Sequence, residues 1–84
     1  MSVIFPPVLD PATGGVRTME TEGSTVSEVL ASLTVAMPGV VHHLLDETGA
    51  LRPHVLCFAD GTGTRDLTTD VTETLRFLTA VSGG

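Results

Sequence analysis

The residues best suited to chemistry in this sequence are the last three, Ser82, Gly83 and Gly84. An apolar stretch, TLRFLTAV, runs directly into them. Glycine lacks a side chain and adopts almost any φ, so such a segment can be thin and extended enough to enter a narrow channel. We therefore expect a folded domain over residues 1–81 that carries residues 82–84 as a flexible tail and presents the Gly84 carboxylate to a second protein.

The other residues of chemically useful type are weaker candidates. His42 and His43 are adjacent, and neighbouring side chains on a helical turn point about 100° apart, which disfavours binding of one metal ion by both. His54 completes no metal-ligand spacing, so we predict no metal site. Cys57 has no basic neighbour and falls on a predicted strand, which indicates a core thiol rather than a nucleophile. We predict no catalytic residue and interpret the loop carboxylates as solvated surface: Asp46, Glu47, Asp60, Asp66 and Asp70.

Length and composition favour one small domain. The chain has 84 residues, of which 42% are hydrophobic, and this content argues against disorder. No apolar run approaches the roughly 20 residues that cross a membrane, and the N-terminus lacks the basic and apolar regions of a signal peptide. The single cysteine excludes an internal disulfide and fits a reducing cytoplasm, so we expect a cytoplasmic protein.

The charge balance favours a protein partner over nucleic acid. The net charge is −6, and all four basic residues are arginines. Phosphates of nucleic acids need a basic patch, which this composition does not supply. A partner with a positive docking face suits the acidic chain, although acidity alone can serve solubility.

The elements that must position the tail alternate between strand and helix patterns. A hairpin is predicted first, with turn residues from Asp10 to Gly15 between its strands. Pro53 to Ala59 alternates with period two, and Asp60-Gly61 begins a turn after it. The predicted strands are Val3–Phe5, Val16–Thr21, Pro53–Ala59, a short edge strand Thr64–Leu67, and Leu75–Val81.

One main helix lies between the second and third strands. Thr25 and Glu28 form a capping box at its start, and Pro38-Gly39 ends it. The predicted buried face follows the i, i+3, i+4, i+7 rule and consists of Val26, Val29, Leu30, Leu33, Ala36 and Met37. A short helical turn over residues 40–45 should close the core. The order indicates an α+β fold with a mixed sheet and one main helix across one face, which is the order of the ubiquitin-like β-grasp.

A single main helix covers only one face of a sheet, so apolar side chains on the other face are candidates for a protein interface. If Val55, Cys57 and Ala59 face the helix, then Leu56 and Phe58 face outward. The predicted partner-binding surface consists of Leu56, Phe58, Leu78 and Val81. The three of these that share the outward face, Leu56, Phe58 and Leu78, are here called the open-face patch. The alternative is that a small domain simply exposes some apolar area.

The assembled motifs resemble the ThiS/MoaD family of ubiquitin-like sulfur carriers, and within it the cysteine-biosynthesis carrier type. Each motif is weak alone, but they follow in family order over nearly the whole chain. The matching segments are PVLDPATGG (7–15), TVSEVL (25–30) with Leu33, PGV (38–40), Leu51-Arg52, VLCFADG (55–61) and AVSGG (80–84).

The resemblance implies a carrier that has no catalysis and binds no cofactor of its own. A ubiquitin-activating-type partner would use ATP to adenylate the Gly84 carboxylate, with Ser82 and Gly83 threaded into its channel. A sulfur donor would then convert the adenylate to a thiocarboxylate, and a biosynthetic enzyme would accept the sulfur. The receiving pathway stays open between cysteine, thiamine, molybdopterin and a secondary metabolite.

Two other interpretations use the same residues. A ubiquitin-like modifier would join the tail to protein lysines, and a plain interaction module would leave the tail idle. The sequence contains no lysine, so the chain offers no internal ε-amine to an activated tail. This absence suits an acyl donor and equally suits a proteome that is poor in lysine.

Overall fold

Five strands form one mixed sheet in a computed structural model that describes residues 1–79. The spatial order is β2-β1-β5-β3-β4, and β1 and β5 are parallel while the other neighbouring pairs are antiparallel. The strands are β1 (Ser2–Ile4), β2 (Thr18–Glu20), β3 (Val55–Ala59), β4 (Thr62–Thr64) and β5 (Thr74–Thr79). This arrangement confirms the predicted ubiquitin-like β-grasp.

The main helix, α2 (Val26–Ala36), packs across one face of this sheet. The predicted capping box is present in part. Thr25 Oγ1 accepts a hydrogen bond from the Glu28 N–H at 3.2 Å, whereas the Glu28 carboxylate reaches one residue beyond the N-cap and accepts from Ser24 N–H and Ser24 Oγ at 2.8 Å. The predicted buried face is confirmed at Val26, Val29, Leu30 and Leu33.

The buried-face prediction is wrong at Ala36, which is exposed, and Met37 is only partly buried. The reason is geometric. Ala36 lies near the margin of the apolar stripe, at the last turn of α2, and with Val35 it lines a groove beside the edge strand β2.

Two short helical segments precede β2 where the sequence predicted only a turn. A 3-10 helix covers Pro7–Leu9 and α1 covers Asp10–Thr13. Proline, aspartate and glycine serve turns and helix ends alike, so their composition did not separate the two. Gly14, with φ of 68°, ends α1 in the left-handed region. The predicted helical turn after Pro38 is a helix of seven residues, α3 (Pro38–Leu44).

The two predicted strands around Asp60 are shorter or shifted in the structure. β3 begins at Val55 rather than Pro53. The edge strand is Thr62–Thr64 rather than Thr64–Leu67, because the chain leaves the sheet after Thr64. There the guanidinium of Arg65 donates to the carbonyls of Val55 at 2.7 Å and Leu51 at 2.9 Å, which ties this loop to the start of β3.

The core lies between the sheet and the helices α2 and α3. Strand residues alternate as predicted, since Val55, Cys57 and Ala59 are buried on β3 and Leu75 and Phe77 on β5. Helix α3 adds Val40, Val41 and Leu44 to these and to the buried face of α2, and the rest of the cluster consists of Val3, Phe5, Leu9, Leu51 and Val71. No helix in the part of the chain that the structure describes is long and apolar enough to cross a membrane.

The predicted tail, Ser82 to Gly84, and Val81 lie outside the described residues. The boundary between a domain over residues 1–81 and a tail over 82–84 therefore stays a prediction.

Candidate partner-binding surface

Two rows of side chains lie on the sheet face that α2 does not cover. Leu56 on β3 is the direct cross-strand partner of Leu78 on β5, and Phe58 is the partner of Arg76. Leu56 is 42% exposed and Leu78 is 37% exposed, while Phe58 is half-buried. The described members of the open-face patch thus lie together on one face, as the alternation predicted. Their function as a binding surface is a separate proposal.

Phe58 owes its partial burial to the edge strand beside it. The register places Gly63 of β4 opposite Phe58. A Cβ atom at Gly63 would lie 3.3 Å from Phe58 Cε2, so the bare glycine leaves room for the ring against β4. A groove continues from the ring toward the start of β5, and its lining includes Asp60, Glu73, Thr74 and Arg76. Apolar centre and charged margin together resemble the composition of protein interfaces.

The Leu56–Leu78 pair lies at the end of the sheet where β5 finishes. Thr79, the last described residue of β5, pairs with Val55. The next five residues of the sequence lead to Gly84. Among residues 1–79, the two exposed leucines are therefore the apolar open-face side chains nearest, along β5, to the predicted tail.

Asp60 fixes the other end of β5. Its carboxylate accepts hydrogen bonds from the backbone N–H groups of Thr72, Glu73 and Thr74 at 2.8 to 3.0 Å, and from Thr72 Oγ1. The N–H groups of Thr74, Glu73 and Thr72 favour the charged form and lower the pKa of Asp60 to about 2. Asp60 also has a φ of 50°, a left-handed conformation that aspartate tolerates better than most residues. The predicted turn at Asp60-Gly61 is confirmed as the β3–β4 hairpin, and Asp60 in addition anchors the entry to β5.

Cys57 and the three histidines lie where the sequence predicted them, the thiol in the core and the imidazoles at the surface. Cys57 is 1% exposed, and burial raises the pKa of its thiol to about 11, so it is a core residue. His42, His43 and His54 are exposed. Within residues 1–79, no group of three or more His, Cys, Asp or Glu side chains is placed to hold a metal ion.

Arg76 and Ile4 also lie on the open face, although no sequence motif singled them out. Arg76 is exposed in the middle of the open face, opposite Phe58 on one side and Ile4 on the other. Period-two alternation places Arg76 with Leu78, so that signal was available. The proximity of Ile4 depends on the parallel pairing of β1 with β5, which joins the two ends of the chain and leaves no local signal.

The comparisons with known proteins rest on structure. No protein-family model and no curated protein sequence matches the chain. Solved structures do match over nearly its whole length. A chain of the Amycolatopsis orientalis BexX/CysO complex superimposes with a TM-score of 0.87 and 28% identity, covering 99% of this chain and 98% of that one.

Two further structures agree with this match. Mycobacterium tuberculosis CysO gives a TM-score of 0.83 at 26% identity, covering 95% of this chain and 98% of that one. SAMP1 from Haloferax volcanii gives 0.81 at 25% identity, covering 100% and 98%. The chain has the ubiquitin-like β-grasp fold and is similar in structure to CysO and SAMP1, which are ThiS/MoaD-like proteins. The predicted family resemblance and its CysO-like type are thereby confirmed.

Proposed function

We propose that this ThiS/MoaD-like protein is a sulfur carrier whose terminal Gly84 is adenylated by a partner enzyme and converted to a thiocarboxylate. The observation that carries the proposal is the match to the CysO structures, which spans at least 95% of this chain and 98% of theirs. The sequence end, Gly83-Gly84, supplies the chemical group.

The proposed chemistry solves the poor reactivity of a carboxylate. One Gly84 carboxylate oxygen attacks the α-phosphorus of ATP, and pyrophosphate leaves. In the resulting acyl adenylate the carboxylate no longer carries its negative charge, so the carbonyl carbon accepts a nucleophile. With hydrosulfide as the donor, sulfur bonds to that carbon, AMP leaves with the C–O electron pair, and a thiocarboxylate remains. Its anionic sulfur is nucleophilic near neutral pH, as thiolates are.

The folded domain supports this chemistry by binding the enzyme and so placing the tail near its active site. An enzyme that covers the open-face patch would hold the end of β5 at a fixed position. The five residues from Ala80 to Gly84 then span at most roughly 18 Å, which sets how far the active site can lie from the bound sheet. The Leu56–Leu78 pair, exposed beside Thr79, is the part of the patch best placed for this docking.

The partners follow from the reaction. They are a ubiquitin-activating-type adenylating enzyme that uses ATP, a sulfur donor, and a biosynthetic enzyme that accepts the sulfur. The structure of CysO in a complex with BexX supports the expectation of a protein partner. The proposed carrier performs no catalysis, holds no cofactor and acts in the cytoplasm.

A second function has a specific observation in its favour. SAMP1 structures match this chain at 25% and 26% identity, and the protein is named a small archaeal modifier protein. A modifier would share the adenylation step and differ in the acceptor, which would be a protein lysine.

Intact-mass spectrometry separates the two functions. The protein is incubated with ATP, an activating enzyme and a sulfur source. A carrier exchanges one oxygen atom for one sulfur atom, whereas a modifier forms conjugates of higher mass in cell extract. Gly84→Ala should sharply reduce either product because a methyl group collides with the channel wall. Gly39→Ala is the matched control, since a Cβ atom at Gly39 meets no atom within 4 Å. A protein that yields neither product is an interaction module, and the proposal is then wrong.

A further inference from the structure

A groove on the opposite side of the sheet from the open-face patch has features of a second binding site. It lies between the edge strand β2 and the last turns of α2. We name it the edge groove; its lining consists of Met19, Glu20, Thr21, Glu22, Ser32, Val35 and Ala36. Nothing in the proposed sulfur chemistry uses it.

Within residues 1–79, the strand side of the edge groove has backbone groups that no other strand pairs with. One hydrogen bond lies just beyond each end of the β1–β2 ladder: Phe5 N–H donates to Arg17 C=O, and Thr21 N–H donates to Met1 C=O. Because hydrogen-bonded and non-hydrogen-bonded pairs alternate in antiparallel strands, Met19 bonds to β1 while Thr18 and Glu20 direct their N–H and C=O groups away from it. No other strand pairs with that edge among residues 1–79. A further extended chain could therefore bond there.

The helix side supplies apolar surface. Val35 is 87% exposed, the largest exposed fraction among the exposed large apolar side chains of the described residues. Ala36 is exposed beside it, and Met19 packs partly against the core from β2. Thr21 adds a polar group, because its Oγ1 is buried and has no hydrogen-bond partner within residues 1–79. An occupant that reaches this hydroxyl would relieve an unpaired buried group.

The charge of the edge groove selects the occupant. Glu20 and Glu22 line it, and no basic side chain does. The nearest arginine in sequence, Arg17, is held by both carboxylate oxygens of Asp10 at 2.7 and 2.8 Å. Glu20 is 77% exposed although it also pairs with the N-terminal amine at 3.3 Å.

We propose that the edge groove binds an extended segment of a partner protein in which apolar and basic residues alternate, and that this segment joins the sheet as a sixth strand beside β2. Side chains of a strand alternate between faces, so the apolar ones contact Val35 and Met19 while the basic ones lie toward Glu20. The backbone of Thr18 and Glu20 supplies affinity, and the alternation supplies specificity. The inference goes beyond the carrier function and does not depend on it.

The test uses the full chain, labelled with ¹⁵N, and a capped eight-residue peptide in which valine and lysine alternate. Binding should shift the amide resonances of residues 18–22 and 32–36 and slow the hydrogen exchange of the Thr18 and Glu20 amides. Slowed exchange at these two alternate residues reports strand addition, which simple apolar adhesion would not produce. Two control peptides should bind about tenfold more weakly or not at all. The first has the same residues with its valines contiguous, and in the second valine alternates with glutamate.

Two variants locate the contact without disturbing the core. Thr18→Pro removes an outward N–H that β1 does not use, and Val35→Asp puts charge on the apolar wall; each should weaken binding by about tenfold or more. Thr34→Asp is the matched control, because the neighbouring position points about 100° away around α2 and should leave the affinity unchanged. Spectra of the unbound variants that match the wild-type spectrum away from the substituted residue establish that the variants fold.

Three results would overturn the proposal. The first is an absence of peptide-induced shifts in residues 18–22. The second is a set of shifts confined to the open-face patch. The third is concentration-dependent self-association of the free protein through β2, which would make a second copy the occupant. The sulfur-exchange experiment is independent of all three, so failure here leaves the carrier function standing, and the reverse also holds.

Discussion

Replacing Leu56 and Leu78 together by threonine should weaken binding of the activating enzyme while the fold persists. Fully burying a leucine side chain stabilises by roughly 1.5–3 kcal/mol. The two leucines are 42% and 37% exposed, so covering their remaining surface is worth roughly 1.2–2.4 kcal/mol together. This corresponds to an affinity loss of about 7- to 50-fold. Threonine keeps the preference of β-branched residues for strands, and the two new hydroxyls lie in directly opposite positions.

The assay is ATP–pyrophosphate exchange by the activating enzyme with the carrier as the varied substrate. The KM for the carrier should rise within the stated range with little change in kcat, because the docking contact is equally present before and during adenylation. Val16→Thr is the matched control, since it removes apolar surface at a 37% exposed position that belongs neither to the open-face patch nor to the edge groove. An unchanged KM in the double variant, or an equal rise in the control, would refute the docking function of the Leu56–Leu78 pair.

Three further predictions concern the folded body. Hydrogen bonds lower the pKa of Asp60 from 3.8 to about 2 in the folded protein, so the stability that this carboxylate contributes is present above about pH 4 and is lost as the pH falls toward 2. Over this range the free energy of unfolding should fall less in Asp60→Asn than in the wild type. Equal losses in the two proteins would contradict the anchoring contacts. Burial raises the pKa of Cys57 from 9.0 to about 11, so iodoacetamide at neutral pH should label the folded protein far more slowly than the denatured one, and equal rates would show an accessible thiol. Gly23→Ala should lower the free energy of unfolding by more than about 1 kcal/mol in a denaturant titration, because Gly23 has a φ of 141° and an added Cβ would lie 2.8 Å from Val29 N. Gly39→Ala should be nearly neutral, so similar values for the two variants would contradict the close approach at Gly23.

Local patterns in the sequence predicted the faces of the strands and the start of the main helix. The alternation through Val55, Leu56 and Cys57 depends only on the two-residue period of a strand, so it assigned buried and exposed sides correctly. The capping box at Thr25 and Glu28 depends on four consecutive residues and was equally accessible.

Features that depend on distant pairing were not predicted from local patterns. The position of β2 at the sheet edge follows from the order β2-β1-β5-β3-β4, and this order rests on contacts between the two ends of the chain. The edge groove, with Val35 exposed and Ala36 outside the core, therefore had no signal in the helix periodicity alone. The anchoring function of Asp60 similarly needs residues 72–74 to approach a turn twelve residues earlier.

Fragmentation of the sulfur-loaded protein in a tandem mass spectrometer tests the central claim most directly. After incubation with ATP, activating enzyme and hydrosulfide, we predict that one oxygen is replaced by one sulfur and that the sulfur appears only in C-terminal fragments that contain Gly84. An unchanged mass, or an exchange of oxygen for sulfur that appears in fragments lacking Gly84, would contradict the claim that the terminal carboxylate is the working group.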